Sequence, residues 1–201
     1  MSWIKTISYS ESTGRLRKLY DRVKGPGDNV DNIMMLHSLR PHSMEGHMAI
    51  YKNVLHHSSN VIPKWFLETL GVYVSYLNHC DYCYEHHLQG LKRLLGDDAH
   101  ADSMTEAMRG GEFGQLLDQR QCAAMRYARQ LTLEPASMSE AMIKDLRDSG
   151  LDDGEILEIN QVCSYFNYAN RTVLGLGAST AGDILGLSPG NSDDENDWSH
   201  H

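Results

Sequence analysis

The reading of this chain turns on Tyr76-Leu-Asn-His-Cys80-Asp-Tyr-Cys83-Tyr-Glu-His-His87. Two cysteines stand three apart, and a histidine follows four residues later. On a helix the i, i+3 and i+7 positions share one face, so Cys80, Cys83 and His87 form a single column. Two thiols at that spacing can close a disulfide across one turn. The imidazole can take or give the proton that thiol chemistry requires. No other stretch gathers a comparable set of reactive groups.

Upstream, roughly 64–77, the chain is apolar nearly all round, with Trp65, Phe66, Leu67, Leu70, Val72, Val74 and Leu77. A helix of that kind is buried, and Pro63 suits its first turn, where a missing N–H costs nothing. Glu68 is the only acid within it. A buried carboxylate needs a partner or a raised pKa, so Glu68 is either paired or working. On one straight helix it would lie ~18 Å from Cys80. A break at Asn78, a residue type that closes or caps helices, allows the chain to bring it back. The helix bearing the cysteines continues through Leu88, Leu91 and Leu94 to Gly96.

The rest of the chain reads as further helices. Leu16, Leu19, Tyr20 and Val23 lie at helical spacing within 12–24, and Gly25-Pro26-Gly27 breaks that helix. Asp31 caps a second helix ending before Pro41, and a third spans about 43–55, followed by a loop at 56–60. After a polar connection at 96–103, a helix is expected over 115–131, then a short one at 139–149. A long helix begins at Asp152 or Asp153 and runs to about Val173, with a last short helix over 178–186. No convincing strand appears, so the fold class is all-α. Ser75-Tyr-Leu-Asn78 also recurs as Ser164-Tyr-Phe-Asn167, which suggests a duplicated helical unit. The active half would be about 28–96 and the degenerate half about 115–187, within one domain ending near 187. An acidic stretch, 188–201, reads as a disordered tail.

A formal net charge of −9 over 201 residues argues against nucleic acid or an anionic membrane surface as partner. No apolar run reaches the ~20 residues of a membrane span, and a cytoplasmic protein is expected. Four cysteines are too few for a disulfide scaffold, and in a reducing compartment a C-x-x-C is more often redox or metal chemistry. Zinc would need a fourth ligand beside Cys80, Cys83 and His87, with Glu68 or His86 as the options. No second ligand pair is evident, so neither a metal nor another cofactor is expected. Cys122 and Cys163 read as core residues. His86 reads as solvated, and His37, His42, His47, His56, His57 and His100 as mostly surface, a few of them available to line a pocket.

A glutamate twelve residues ahead of a C-x-x-C, with a histidine four after the second cysteine, resembles the alkyl hydroperoxidase D-like proteins of the carboxymuconolactone decarboxylase superfamily. Asp31-Asn-Ile33, Leu39-Arg-Pro-His, Val74-Ser-Tyr-Leu-Asn78, Leu151-Asp-Asp and Phe166-Asn-Tyr-Ala-Asn-Arg171 look like its uncharacterised peroxidase-related branch. The resemblance implies an all-helical fold, a homo-oligomer (dimer, trimer or hexamer) and a disulfide-cycling peroxidase. Its partners would be a small peroxide substrate and a thiol reductant, either a protein or a small dithiol. Carried over by position, Cys83 attacks the peroxide, Cys80 resolves the sulfenic acid, and His87 with Glu68 behind it relays protons. Tyr82 stands where the founding enzyme has a histidine, and Tyr82 and Asn78 are candidate pocket residues. The alternatives are a non-catalytic or zinc-binding helical module, with the dithiol vestigial in the first case, or a carboxymuconolactone decarboxylase-like enzyme, although that side of the superfamily generally lacks the cysteine pair.

Overall fold

Nine α-helices form among residues 2–194 and 196–201, the residues described in this computed structural model. In chain order they are α1 (Gly14–Val23), α2 (Asn32–Leu36), α3 (Pro41–Leu55), α4 (Lys64–Leu77) and α5 (Asp81–Leu95), then α6 (Asp98–Gly110), α7 (Gln119–Leu133), α8 (Glu140–Asp148) and α9 (Asp153–Leu176). Among the described residues there is no β-strand beyond two isolated bridges. The all-α expectation holds.

α4 is the central element. Its residues from Phe66 to Ser75 are all buried, and α5, α7 and α9 pack around it. An apolar surface on every side requires such neighbours on every side. The crossing with α9 is close: a Cβ built on Gly71 would fall 2.1 Å from Phe166 Cζ. Only glycine leaves room for that ring.

The reversal at Asn78 has a specific geometry. Asn78 closes α4, His79 adopts the left-handed conformation (φ 54°), and Cys80 begins α5 as its N-cap residue. The His79 N–H donates to Tyr76 O (3.0 Å) and the Cys80 N–H to Ser75 O (2.9 Å). These are the two bonds of a Schellman ending, which satisfy the last carbonyls of α4. The next helix starts on the residue that completes it, so α4 and α5 form a tight antiparallel pair.

The structure departs from the sequence expectations in three places. Residues 98–110, within and beyond the expected polar connection, form α6. Asp97 caps it by accepting from His100 N–H (3.0 Å), and Ala101, Met104, Thr105 and Met108 are buried at helical spacing. Small and polar side chains on that face hid the period. The expected helix over 178–186 is absent; the segment runs in turns through Gly182 (φ 94°) and Gly186 (φ 82°). The expected disordered tail instead folds back, with Trp198 buried beneath the Arg22 guanidinium, 3.5 Å above its ring. The echo at Asn78 and Asn167 places those two amides in contact (3.0 Å), but Asn167 sits mid-helix in α9 where Asn78 ends α4.

Candidate active site

The α4–α5 reversal carries Glu68 alongside His87. His87 Nδ1 lies 2.7 Å from Glu68 Oε2, with the carboxylate buried and the ring only 15% exposed. A carboxylate accepting from Nδ1–H fixes the tautomer and leaves Nε2 as the basic nitrogen. The edge of Phe166 (4.5 Å between centroids, 80°) and that of Tyr51 (6.2 Å, 80°) hold the same imidazole.

Cys80 and Cys83 are both reduced and buried. Their thiols share a hydrogen bond, which holds Cys80 below the ordinary thiol pKa while that bond and burial push Cys83 up. Of the two thiols, Cys80, at the positive end of α5, is therefore the easier to deprotonate. Asn170 opposes the rise at Cys83 by hydrogen bonding to it. This residue went unremarked in the sequence reading. Its amide is fully buried, donates to Ser75 Oγ (3.1 Å) and accepts from Asn78 Nδ2 (2.9 Å). An asparagine on the buried face of an apolar helix was the available signal.

Access divides the thiols differently. A cavity of about 40 Å³ is lined by Cys83, His87 and Glu68, and Cys80 does not reach it. Tyr82 does line this cavity, whereas Asn78 lies behind it in the amide network. The Tyr82 hydroxyl donates to Asp183 Oδ2 (2.6 Å) and accepts from the Ile33 N–H (3.0 Å). His86, expected to be solvated, is buried and faces the same oxygen at 3.2 Å. His37, His47 and His56 are buried as well, and His47 lines the cavity together with Tyr51, Tyr165 and His200. These placements follow from contacts distant in sequence, which periodicity does not show. Among the described residues no three His, Cys, Asp or Glu side chains converge in a way that could hold a metal ion.

Asp31 occupies the expected cap position of α2, yet its side chain makes no capping bond and instead lines the cavity. Burial raises its carboxyl to about 7, with His86 opposing and Asp183 reinforcing the shift. Between pH ~4 and 7 the folded state then holds a proton that the unfolded chain has lost, so this group's contribution to stability falls as pH rises through that window. Asp31→Asn should remove the fall and stabilise the protein at pH 8 by on the order of 2 kcal/mol, about half of what the whole shift would supply. Urea midpoints of both proteins at pH 5 and pH 8 check this. Buried neutral His47, pushed down to about 3, and His200, pushed down to about 4, give the opposite slope below pH 6.5. They are common to both proteins and cancel in the difference. Identical pH dependence in the two would exclude Asp31 as the source.

No family model matches the sequence, and no curated protein does. Solved structures do. An uncharacterised peroxidase-related protein from Ralstonia eutropha JMP134, described as an alkylhydroperoxidase AhpD core, superposes with a TM-score of 0.72 at 19% identity, covering 92% of this chain and 96% of its own. The fold is that of the alkylhydroperoxidase core. A peroxidase-related protein from Silicibacter sp. TM1040 shares the alkylhydroperoxidase fold with a TM-score of 0.65 at 24% identity, over 75% of this chain and 76% of that one. The debrominase Bmp8, solved with 2,3,4-tribromopyrrole, shares it at 0.64 and 14% identity, over 82% of each chain. Among the described residues no helix is long and apolar enough to cross a membrane.

Proposed function

We propose that this protein is a thiol-dependent peroxidase that reduces hydrogen peroxide or alkyl hydroperoxides through a Cys80–Cys83 disulfide cycle. The observation that carries the reading is one cavity holding Cys83, His87 and Glu68, with the carboxylate bonded to the imidazole and the second thiol bonded to the first. His87 follows Cys83 by one helical turn on α5. Its Nε2 takes the Cys83 proton. The Cys83 thiolate attacks the terminal peroxide oxygen; an S–O bond forms, the O–O bond breaks, and the leaving alkoxide or hydroxide takes the proton from His87. Cys80 then gives up its proton and attacks Cys83 Sγ, forming S–S and expelling hydroxide, which takes up that proton and leaves as water. The peroxide gains two electrons and the dithiol loses two. An external thiol reductant restores the pair. The fold shared with peroxidase-related proteins supports this reading.

Glu68 fixes the tautomer and stabilises the imidazolium, so Glu68→Gln should lower kcat/KM for peroxide by ~10², the range for lost acid–base assistance. Circular dichroism should show the fold retained. An unaltered rate would remove Glu68 from the relay.

Assembly as a homo-oligomer belongs to the same proposal. α4, apolar nearly all round, offers no surface for it, because it is covered within the chain. The remaining support is α9, where Leu157 is 60% and Tyr168 41% exposed. They are eleven residues apart and so share a face. Light scattering at micromolar concentration should give a mass above one chain; a stable monomer would contradict it.

A further inference from the structure

The cavity is closed by residues from the end of the chain: Gly186, Leu187, Ser188 and His200 all line it. Gly186 lies flat on α5; a Cβ built there would meet Gln89 Cβ at 2.8 Å and Gly90 N at 3.2 Å. The same run passes beside Glu68, since a Cβ built on Gly90 would lie 4.0 Å from both Glu68 Oε2 and Gly186 O.

The position of this run is specified by charge. Lys52 is fully buried, and its ammonium meets Gly190 O (2.5 Å), Ser192 Oγ (2.9 Å) and Asp197 Oδ2 (3.7 Å). All three come from the C-terminal run. A buried ammonium stripped of its partners is costly, so Lys52 holds the run in place. Arg93 adds bonds to Ser188 Oγ (3.2 Å) and His201 O (3.3 Å).

What remains beneath is small, with polar groups set in a partly apolar lining. A space of about 40 Å³ holds about three waters, at roughly 10–15 Å³ each. Two of its lining residues, His47 and His200, carry a buried Nδ1 with no hydrogen-bond partner among the described residues. A compact ligand with donors and acceptors at both ends satisfies such atoms, whereas an alkyl or aryl group would leave them unpaired.

We propose that Gly186, Leu187, Ser188 and His200 form the size-selecting wall of the thiol site, restricting it to hydrogen peroxide and comparably small hydroperoxides and excluding aromatic and long-chain ones. This rests on the peroxidase reading above.

The test compares the full chain with Lys52→Met and Trp198→Ala, neither of which lines the cavity. Single-turnover oxidation of Cys80 and Cys83 by hydrogen peroxide should outpace that by cumene hydroperoxide at least roughly tenfold in the wild type. Both variants should speed the cumene hydroperoxide reaction about fivefold or more and leave hydrogen peroxide within about twofold, because they populate the open run. In parallel, Cys83 labelling by methyl methanethiosulfonate and by fluorescein maleimide is followed by mass spectrometry. The variants should favour the bulky reagent by a similar factor. A wild type that takes both hydroperoxides at one rate overturns the wall, as does an unchanged labelling ratio in both folded variants. If neither hydroperoxide oxidises the pair but the labelling ratio shifts as expected, the wall stands and the peroxidase reading fails.

Discussion

Cys83→Ser should lower peroxide turnover by at least ~10³-fold, since a serine hydroxyl near its ordinary pKa cannot replace the attacking sulfur. Cys80→Ser should behave differently. It should react once and stop, leaving a sulfenic acid on Cys83 that a dimedone probe labels after one equivalent of peroxide. The structure gives opposing signals about which sulfur attacks. The shared hydrogen bond and the helix terminus make Cys80 the easier thiol to deprotonate, but of the two only Cys83 borders the cavity. The expected result follows access, because Cys83 lines the cavity together with His87 and Cys80 does not. The arrangement also makes Cys80 the easier thiol to deprotonate for the resolving step. Labelling on Cys80 in the Cys83→Ser protein, with none on Cys83 in the converse variant, would exchange the two roles.

Gly71→Ala should destabilise the protein by roughly 3 kcal/mol, the upper range for overpacking a tight core. Helix propensity alone predicts the opposite sign, since alanine is favoured over glycine within a helix by about 1 kcal/mol. Packing wins because the new methyl would sit 2.1–2.8 Å from three atoms of the Phe166 ring. The ring cannot move freely: it also abuts Tyr165 at 5.4 Å and stands edge-on to His87 at 4.5 Å. A shift large enough to admit the methyl disturbs the imidazole that Glu68 positions, so activity should fall with stability. Thermal denaturation should show a loss of about 10 °C at this chain length. The double variant Gly71→Ala/Phe166→Leu should recover part of the stability. A single variant as stable as the wild type would show that α4 and α9 are not in this register.

Much of the fold was legible from the chain alone. α4 announced itself by an apolar surface on every side, and α1, α3, α5 and α9 by the helical spacing of their buried residues. α6 was missed because its buried face is Ala101, Met104, Thr105 and Met108, a period written in weakly apolar residues. The tail was misjudged for a related reason. Its composition is acidic and polar, yet Trp198 is anchored by Arg22, and the buried Lys52 bonds to carbonyl and hydroxyl groups from a run more than 130 residues away.

The sequence by itself determined the local chemistry: two cysteines and a histidine on one helical face, and a glutamate that burial obliges to find a partner. Periodicity and spacing depend on neighbours a few residues apart, so they survive without a structure. Tertiary structure decided which thiol meets the cavity and what surrounds it. Asp31, Asn170, Asp183 and His200 reach the site from four separate parts of the chain. Local pattern does not give their roles, which arise from desolvation and hydrogen bonding in an enclosure that exists only once α2, α5, α9 and the C-terminal run have packed together.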